Sequence, residues 1–371
     1  MSKQIPFFNY KGLFAEHADE FSQTFNDVCA RGAFIMQSDL DDFEKNLAKF
    51  LGCKYVIGVA DGTAALVFAL KASGVKAGDE VIVSSHTFVA TAAAVKHVGA
   101  DPVICDCLAD STMCPESAAK MITNKTSAIM PTQLNGRTAD MDKLCEIAEK
   151  HNLAIVEDSC QALGAKFGGV NAGLFGMVGS YSFYPSKTLG CFGDGGAIAT
   201  NDEDARNLIL ELRDHGRGHD GKVKQWGHNG RLDNLQAAIL NVKLKYYPSM
   251  IERRRDIAAR YWNNLGELTE LTLPPGPLEA GKHYDIYQNF EIRATRRDEL
   301  RTYLADAGIG TILQWSGWMM HHFEELKLRN DAPRCEDLSQ QFMMLPMNHL
   351  LKDDEVDYIC ESIVRFYKGS K

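Results

Sequence analysis

Apolar side chains recur three or four positions apart at Phe14, Ala18, Phe21, Phe25 and Val28, which predicts a helix over residues 14–30. Leu40, Phe43, Leu47 and Phe50 repeat the spacing and predict a second helix over 40–51, closed by Gly52. The pattern then changes to short apolar runs separated by turns and small-residue helices. Tyr55 to Val59 reads as a strand, Asp61, Gly62 and Thr63 as a turn, and Ala64 to Ala72 as an apolar helix. Val81 to Val83, Pro102 to Asp106, the run ending near Pro131, and Ala154 to Val156 continue the alternation. Strands this apolar, alternating with helices, predict a doubly wound α/β domain whose largely parallel sheet has helices on both faces.

Beyond Asp202 the periodicity is helical to Asp214, lapses over the glycine- and charge-rich residues 213–230, and resumes at Leu232, Leu235, Ile239 and Val242. A loop as long as 213–230 has a purpose or no fixed structure. Residues 251–265 continue helically, and LPPGP at 273–277 punctuates the chain. A smaller α/β region follows: a strand in YQNFEIRA, a helix from Arg297 to Ala307, a turn at Gly308 to Gly310, a strand toward Trp315, and a last helix from Asp354 to Tyr367. The WSGWMMHHF cluster (315–323) reads as core or as a pocket wall. The predicted division is a large domain over 1–250, including the N-terminal helical segment, and a small C-terminal domain over 251–371.

In parallel sheets, ligands bind beyond the carboxyl ends of the strands. That rule gathers Gly62, Thr63, His86, Phe88, Asp158 and Gln161 at one edge, and Lys187 follows the next strand. Lys187 lies between the aromatic run Tyr181, Phe183, Tyr184 and the glycines Gly190, Gly193, Gly195 and Gly196. It reads either as an ordinary loop lysine or as a buried amine whose lowered pKa frees it as a nucleophile toward an aldehyde. Gly62 and Thr63 open a helix whose first amides suit an anion, a role compatible with plain capping by Asp61 or Thr63. Asp158 ends a strand that should be buried, where an acid is costly unless paired. It is a helix N-cap for a helix beginning near Gln161, or a carboxylate that keeps a pyridine nitrogen protonated. The convergence of Phe88, an anion site and a nucleophilic lysine favours the second reading. Together they suit a flat cationic ring with a phosphate arm and an aldehyde, pyridoxal phosphate.

Composition narrows the class. The 371 residues are 45% hydrophobic, enough for two domains. A net charge of -9 argues against a nucleic-acid surface. No apolar run is long enough to span a bilayer, and MSKQIPFFNYKGLF lacks the features of a secretory signal. The ten scattered cysteines read as reduced, buried residues of a cytoplasmic protein, and the eleven histidines show no metal-binding spacing.

The ordered motifs GT at 62–63, HTFVAT at 86–91, EDSCQALGA at 157–165, SFYPSKTLGCFGDGGA at 182–197 and HNGRLDNLQAAIL at 228–240 resemble the DegT/DnrJ/EryC1/StrS sugar aminotransferases. That resemblance implies a type I (aspartate-aminotransferase) fold, with a mostly parallel central sheet between helices plus a smaller C-terminal α/β domain. It implies pyridoxal 5'-phosphate held at Lys187, with pyridoxamine 5'-phosphate formed in turnover. Asp158 would pair with the ring nitrogen, Gln161 would lie near the phenolic oxygen and Phe88 would stack on the ring. Gly62, Thr63 and Ser182 would hold the phosphate, joined by Asn229 from a neighbouring subunit. The implied partners are L-glutamate, a UDP- or dTDP-linked keto sugar aminated at C-3, and a second copy of the chain in a homodimer with shared sites. A non-nucleotide phosphorylated ketone or aldehyde is the alternative acceptor. A sugar dehydratase is opposed by the lysine, and a non-catalytic regulatory homologue by the retained cofactor set. The chain departs from the family at Gln37, where glycine is usual, at Gly230, where serine is common, and at Gln314, Trp315 and Ser316, where a His-Tyr-Pro-type segment is common.

Overall fold

A computed structural model describes residues 3–278 and 281–369. Its strands, in chain order, are β1 (Tyr55–Val59), β2 (Glu80–Ser84), β3 (Asp101–Cys105), β4 (Thr126–Met130), β5 (Ala154–Asp158), β6 (Lys166–Phe167), β7 (Val170–Asn171), β8 (Val178–Ser182), β9 (Gly196–Thr200), β10 (Leu271–Thr272), β11 (His283–Tyr284), β12 (Phe290–Ala294), β13 (Arg329–Asp331) and β14 (Phe342–Leu345). Eight of them form one sheet in the order β1-β9-β8-β5-β4-β2-β3-β13. β9 runs antiparallel to both of its neighbours, while the pairs from β8 to β13 are parallel.

Both faces of this sheet are covered, which is why its strands read as near-continuous apolar runs. On one face Ile57, Val81, Val83, Met130 and Val156 pack on helices Gly62–Ala72, Val89–His97 and Glu203–Arg213. On the other, Ile82, Val103, Ile129 and Ile155 meet the helix Met141–His151, and Val56, Tyr181, Ala197 and Ala199 meet helices Ser38–Leu51 and Asn234–Leu265. The smaller C-terminal α/β region has an antiparallel sheet, β10-β12-β14, packed with helices Arg297–Asp306 and Asp353–Lys368 around Tyr261, Phe290, Leu300, Leu345 and Ile363.

Several local expectations change. The predicted 14–30 helix is two, Tyr10–Ala15 and Ala18–Arg31, because the chain breaks at His17, whose ring stacks on Tyr246 at 3.9 Å. No strand leads to Trp315: a single bridge joins Ile312 to Met344 before a tight turn over Gln314–Gly317. β13 was invisible to an apolar pattern, since Arg329, Asn330 and Asp331 are all exposed. The helix Asn234–Leu265 passes through residue 250 without a break: Leu240, Leu244 and Ile251 serve the large core, and Ile257, Tyr261 and Leu265 the small one. No helix among the described residues is long and apolar enough to cross a membrane.

Candidate active site

The carboxyl ends of β1, β2, β4, β5 and β8 open on a cavity of about 530 Å³, a size suited to a cofactor and part of a substrate. Its lining includes Gly62, Thr63, Phe88, Asp158, Gln161, Ser182 and Lys187. Asn229 is not in that lining; it is exposed on the loop after Arg213 and bridges Asp214.

At the β1 end, Asp61 caps the helix Gly62–Ala72. Its carboxylate accepts from Ala64 N–H at 2.8 Å and its carbonyl from Ala65 N–H at 3.0 Å. These bonds leave the amides of Gly62 and Thr63 as the free first donors of the helix, the arrangement that suits a phosphate. The turn also needs its glycine. A Cβ at residue 62 would stand 2.9 Å from Ser182 Cβ and 3.2 Å from Ser182 Oγ, filling the cradle. Gly196 plays a parallel part in β9, where a Cβ would meet the Asp61 carbonyl oxygen at 2.4 Å.

Asp158 is 5% exposed. Its Oδ2 accepts from Thr91 Oγ1 at 2.7 Å and its Oδ1 from Cys160 N–H at 3.2 Å. Thr91 is held by Thr87, and Thr87 by Thr132, so a chain of hydroxyls fixes the carboxylate's position. No helix starts after it, which removes the capping role. Among the described residues no lysine, arginine or histidine forms an ion pair with it. A buried carboxylate with no cationic side chain beside it suits a protonated ring nitrogen.

Lys187, partly buried, lines the same cavity. Burial pushes its ammonium pKa down, opposed by the charges of Cys160 and Asp158. Its loop is stapled by Gln288, whose Oε1 accepts from Thr188 N–H (2.7 Å) and Thr188 Oγ1 (2.6 Å), and whose Nε2 donates to the Ser186 carbonyl (2.9 Å). Gly190 allows the loop to close tightly, since a Cβ there would meet the Pro185 carbonyl at 2.7 Å. Gln288 and Thr91 were not singled out from the sequence: both act on another residue of the site, and nothing local marks them. The HTFVAT run was the one available signal for Thr91.

Gln161 Oε1 accepts from Asn135 N–H at 2.9 Å and lies 3.4 Å from the amide nitrogens of Asn289 and Gln314. The backbone donor fixes which amide atom is oxygen, so Nε2 is the end available to a ligand. The outer wall is Phe88, 51% exposed, with Trp315 at 6.1 Å between ring centroids. Trp315 stands on strained backbone: it and Ser316 are both left-handed, with φ of 49° and 60°. His86, gathered with the edge by the sequence, is fully buried behind this wall, edge-on to Trp315 and 3.4 Å from Glu291.

His321, His322 and Glu336 form a cluster nearby, with both Nε2 atoms about 3 Å from one carboxylate oxygen. Met319 N–H donates to His322 Nδ1, so the neutral ring keeps its proton on Nε2. The trio is therefore a hydrogen-bonded clamp and not a set of open metal ligands.

These residues fit pyridoxal phosphate on observations of their own: a glycine cradle with free amides, an unpaired buried acid and a buried amine. The fold and site define a pyridoxal-phosphate-dependent transferase of the aspartate-aminotransferase type. The chain belongs to the DegT/DnrJ/EryC1/StrS aminotransferase family, whose sequence model matches residues 15–364, and it is a pyridoxal-phosphate-dependent aminotransferase. It is 35% identical over 97% of its length to the dTDP-3-amino-3,4,6-trideoxy-alpha-D-glucose transaminase of Streptomyces venezuelae, covering 95% of that protein. It is 34% identical over 98% of its length to a Geobacillus stearothermophilus protein named pleiotropic regulatory protein, covering 99% of that chain. The crystal structure of S. venezuelae DesV in complex with a ketimine intermediate superposes with a TM-score of 0.93, at 34% identity, over 98% of this chain and 99% of that one.

Proposed function

We propose that the protein moves the amino group of L-glutamate to C-3 of a keto sugar carried on UDP or dTDP. The observation that carries the reading is that Lys187 and Asp158 line one cavity, where the acid's charge is felt by the amine and the outer wall is aromatic. Bound pyridoxal phosphate supplies an aldehyde and an electron sink. Lys187, with its pKa lowered, holds that aldehyde and moves the proton between donor and acceptor carbons. Asp158, fixed by Thr91, holds the ring nitrogen in its protonated form. Gln161 Nε2 donates to the phenolic oxygen, and Phe88 covers the ring. Gly62, Thr63 and Ser182 hold the phosphate.

The exposed apolar residues Phe34 (53%), Ile35 (44%), Phe88 (51%) and Trp226 (94%) would each be covered in a homodimer, which supports that assembly. In it Asn229 reaches the partner's phosphate site. The name of the Streptomyces relative favours a dTDP sugar and C-3. The exposed Gln37 and the Trp315 turn, both departures from the family, bear on the sugar and not on the cofactor.

The test is a screen of UDP-, dTDP- and GDP-keto sugars and simple phosphorylated ketones, with glutamate as donor and the product identified. A 3-amino sugar nucleotide is expected. Turnover only of phosphorylated ketones would overturn the acceptor assignment. The name of the Geobacillus relative favours one other reading, a regulatory protein that keeps the cofactor. It gains if no amino acid shifts the absorbance of the bound cofactor.

A further inference from the structure

A second cavity, about 50 Å³, lies on the other side of the Lys187 loop, under the N-terminal segment. Besides Lys187 its lining holds Lys243 and Arg254, and neither of these two has a carboxylate partner among the described residues. Lys243, on the helix Asn234–Leu265, donates to the Gly190 carbonyl at 2.6 Å and sits 4.4 Å over the Phe192 ring. Burial lowers its pKa to about 8. Arg254, 6% exposed, gives Nη1 to the carbonyls of Tyr287, Gln288 and Met347, and its buried Nε meets no acceptor. His349 completes the group. Its Nε2 is 2.9 Å from Glu16 and its buried Nδ1 has no partner; burial lowers its pKa, Glu16 opposes the drop, and the charges of Arg254 and Lys243 add to it.

Buried cations are normally paired, and leaving two together without an anion is costly. Carbonyl oxygens and water solvate such charges without neutralising them. Glu16 is the one carboxylate in the lining, and it is engaged by His349. The space admits a group of a few atoms and excludes a sugar nucleotide. Lys187 lines both cavities, so a group seated here lies against the loop that carries the reacting amine.

We propose that this cavity is an anion subsite that receives a carboxylate group, held by Lys243 Nζ in the field of the Arg254 guanidinium. The carboxylate has two sources, the far end of a dicarboxylic amino donor reacting at Lys187 or a free small carboxylate. The donor source rests on the aminotransferase reading; the anion site itself does not.

The experiment uses the holoenzyme. Calorimetric titration with sodium acetate should show saturable binding, weakened at least about tenfold in Lys243→Gln and retained in Lys243→Arg, as expected for loss of one charge-assisted contact. Melting curves of both variants establish that they are folded. Crystals soaked in sodium bromide should show an anomalous peak within hydrogen-bonding distance of Lys243 Nζ. The two sources separate in the donor half-reaction. If acetate slows discharge of the cofactor by L-glutamate and not by L-alanine, the subsite serves the donor's second carboxylate. If acetate binds without slowing either, it serves a free carboxylate. Equal acetate binding by the native protein and Lys243→Gln, or a cavity without a bromide peak, overturns the proposal whether or not the enzyme transaminates.

Discussion

Glu157 and Asp158 are adjacent in β5, and both are buried, yet the two sides of that strand treat them differently. Glu157, on one face, has its carboxylate fully engaged: Gln133 Nε2 and Gly173 N–H at 2.7 Å, Phe175 N–H at 2.6 Å and Gly176 N–H at 3.2 Å. Burial raises its pKa, and those four donors work against the rise. Asp158, on the other face, has one hydroxyl and one amide and looks into a cavity. The same chemical group is a structural rivet where the protein completes its hydrogen bonds and a ligand site where it does not. A buried charge is informative only after its partners are counted.

Substitution should break this contrast most violently at the rivet. Glu157→Ala strands three backbone N–H groups and Gln133, and should cost about 3–5 kcal/mol of unfolding free energy in urea melts. Asp158→Asn keeps the shape and removes the charge. It should leave the melting curve nearly unchanged while turnover falls about 10²–10³-fold, the scale for losing one preorganised electrostatic partner. If Asp158→Asn unfolds the protein as Glu157→Ala does, the two acids are alike and the contrast is lost. Thr91→Val tests the support behind Asp158. Loss of one hydrogen bond to a charged group should weaken cofactor retention by about 1.5–3 kcal/mol, read from the dissociation constant.

Lys187→Met sharpens the comparison from the amine's side and should have the smallest effect on the fold. The apoprotein should gain about 0.5–1 kcal/mol, a figure kept low because the amine faces an open cavity. The variant should bind no cofactor that borohydride can fix. The sign follows from the lowered pKa. Below its folded value the ammonium is charged and carries the full cost of burial. As pH rises from there toward the ordinary value of 10.5, the unfolded chain binds more protons than the folded one, and the native protein regains stability. The advantage of Lys187→Met should therefore be largest below the folded value and fade as pH approaches 10.5. A constant difference across that range would mean that the amine is not charged against its surroundings.

The architecture of the large domain was legible because strands buried on both faces leave continuous apolar runs. β1, β2, β3 and β5 were each read close to their positions. The gathering of Gly62, Phe88, Asp158 and Lys187 at one edge followed from the parallel order alone. What failed did so for specific reasons. Asp158 was picked out as the acid that ends β5, but the four donors that satisfy Glu157 come from Gln133 and residues 173–176, which no local pattern marks. Gln288 holds the Lys187 loop through its side-chain bond to Ser186, 102 residues away, a link no local pattern encodes. β13 is held by backbone hydrogen bonds at a sheet edge and carries no apolar side chain to announce it. The turn at Trp315 uses left-handed backbone at two non-glycine residues, which local preference opposes.

β13 also changes what counts as a separable piece. The chain leaves the large core along the helix Asn234–Leu265, builds part of the small one, returns to pair with β3, and leaves again for β14. The two cores are thus stitched, with the thread passing between them more than once. A fragment ended at residue 250 would lack its outermost strand and the second half of its longest helix. The smallest portable unit of this fold, for recombination as for refolding, is the whole stitched chain.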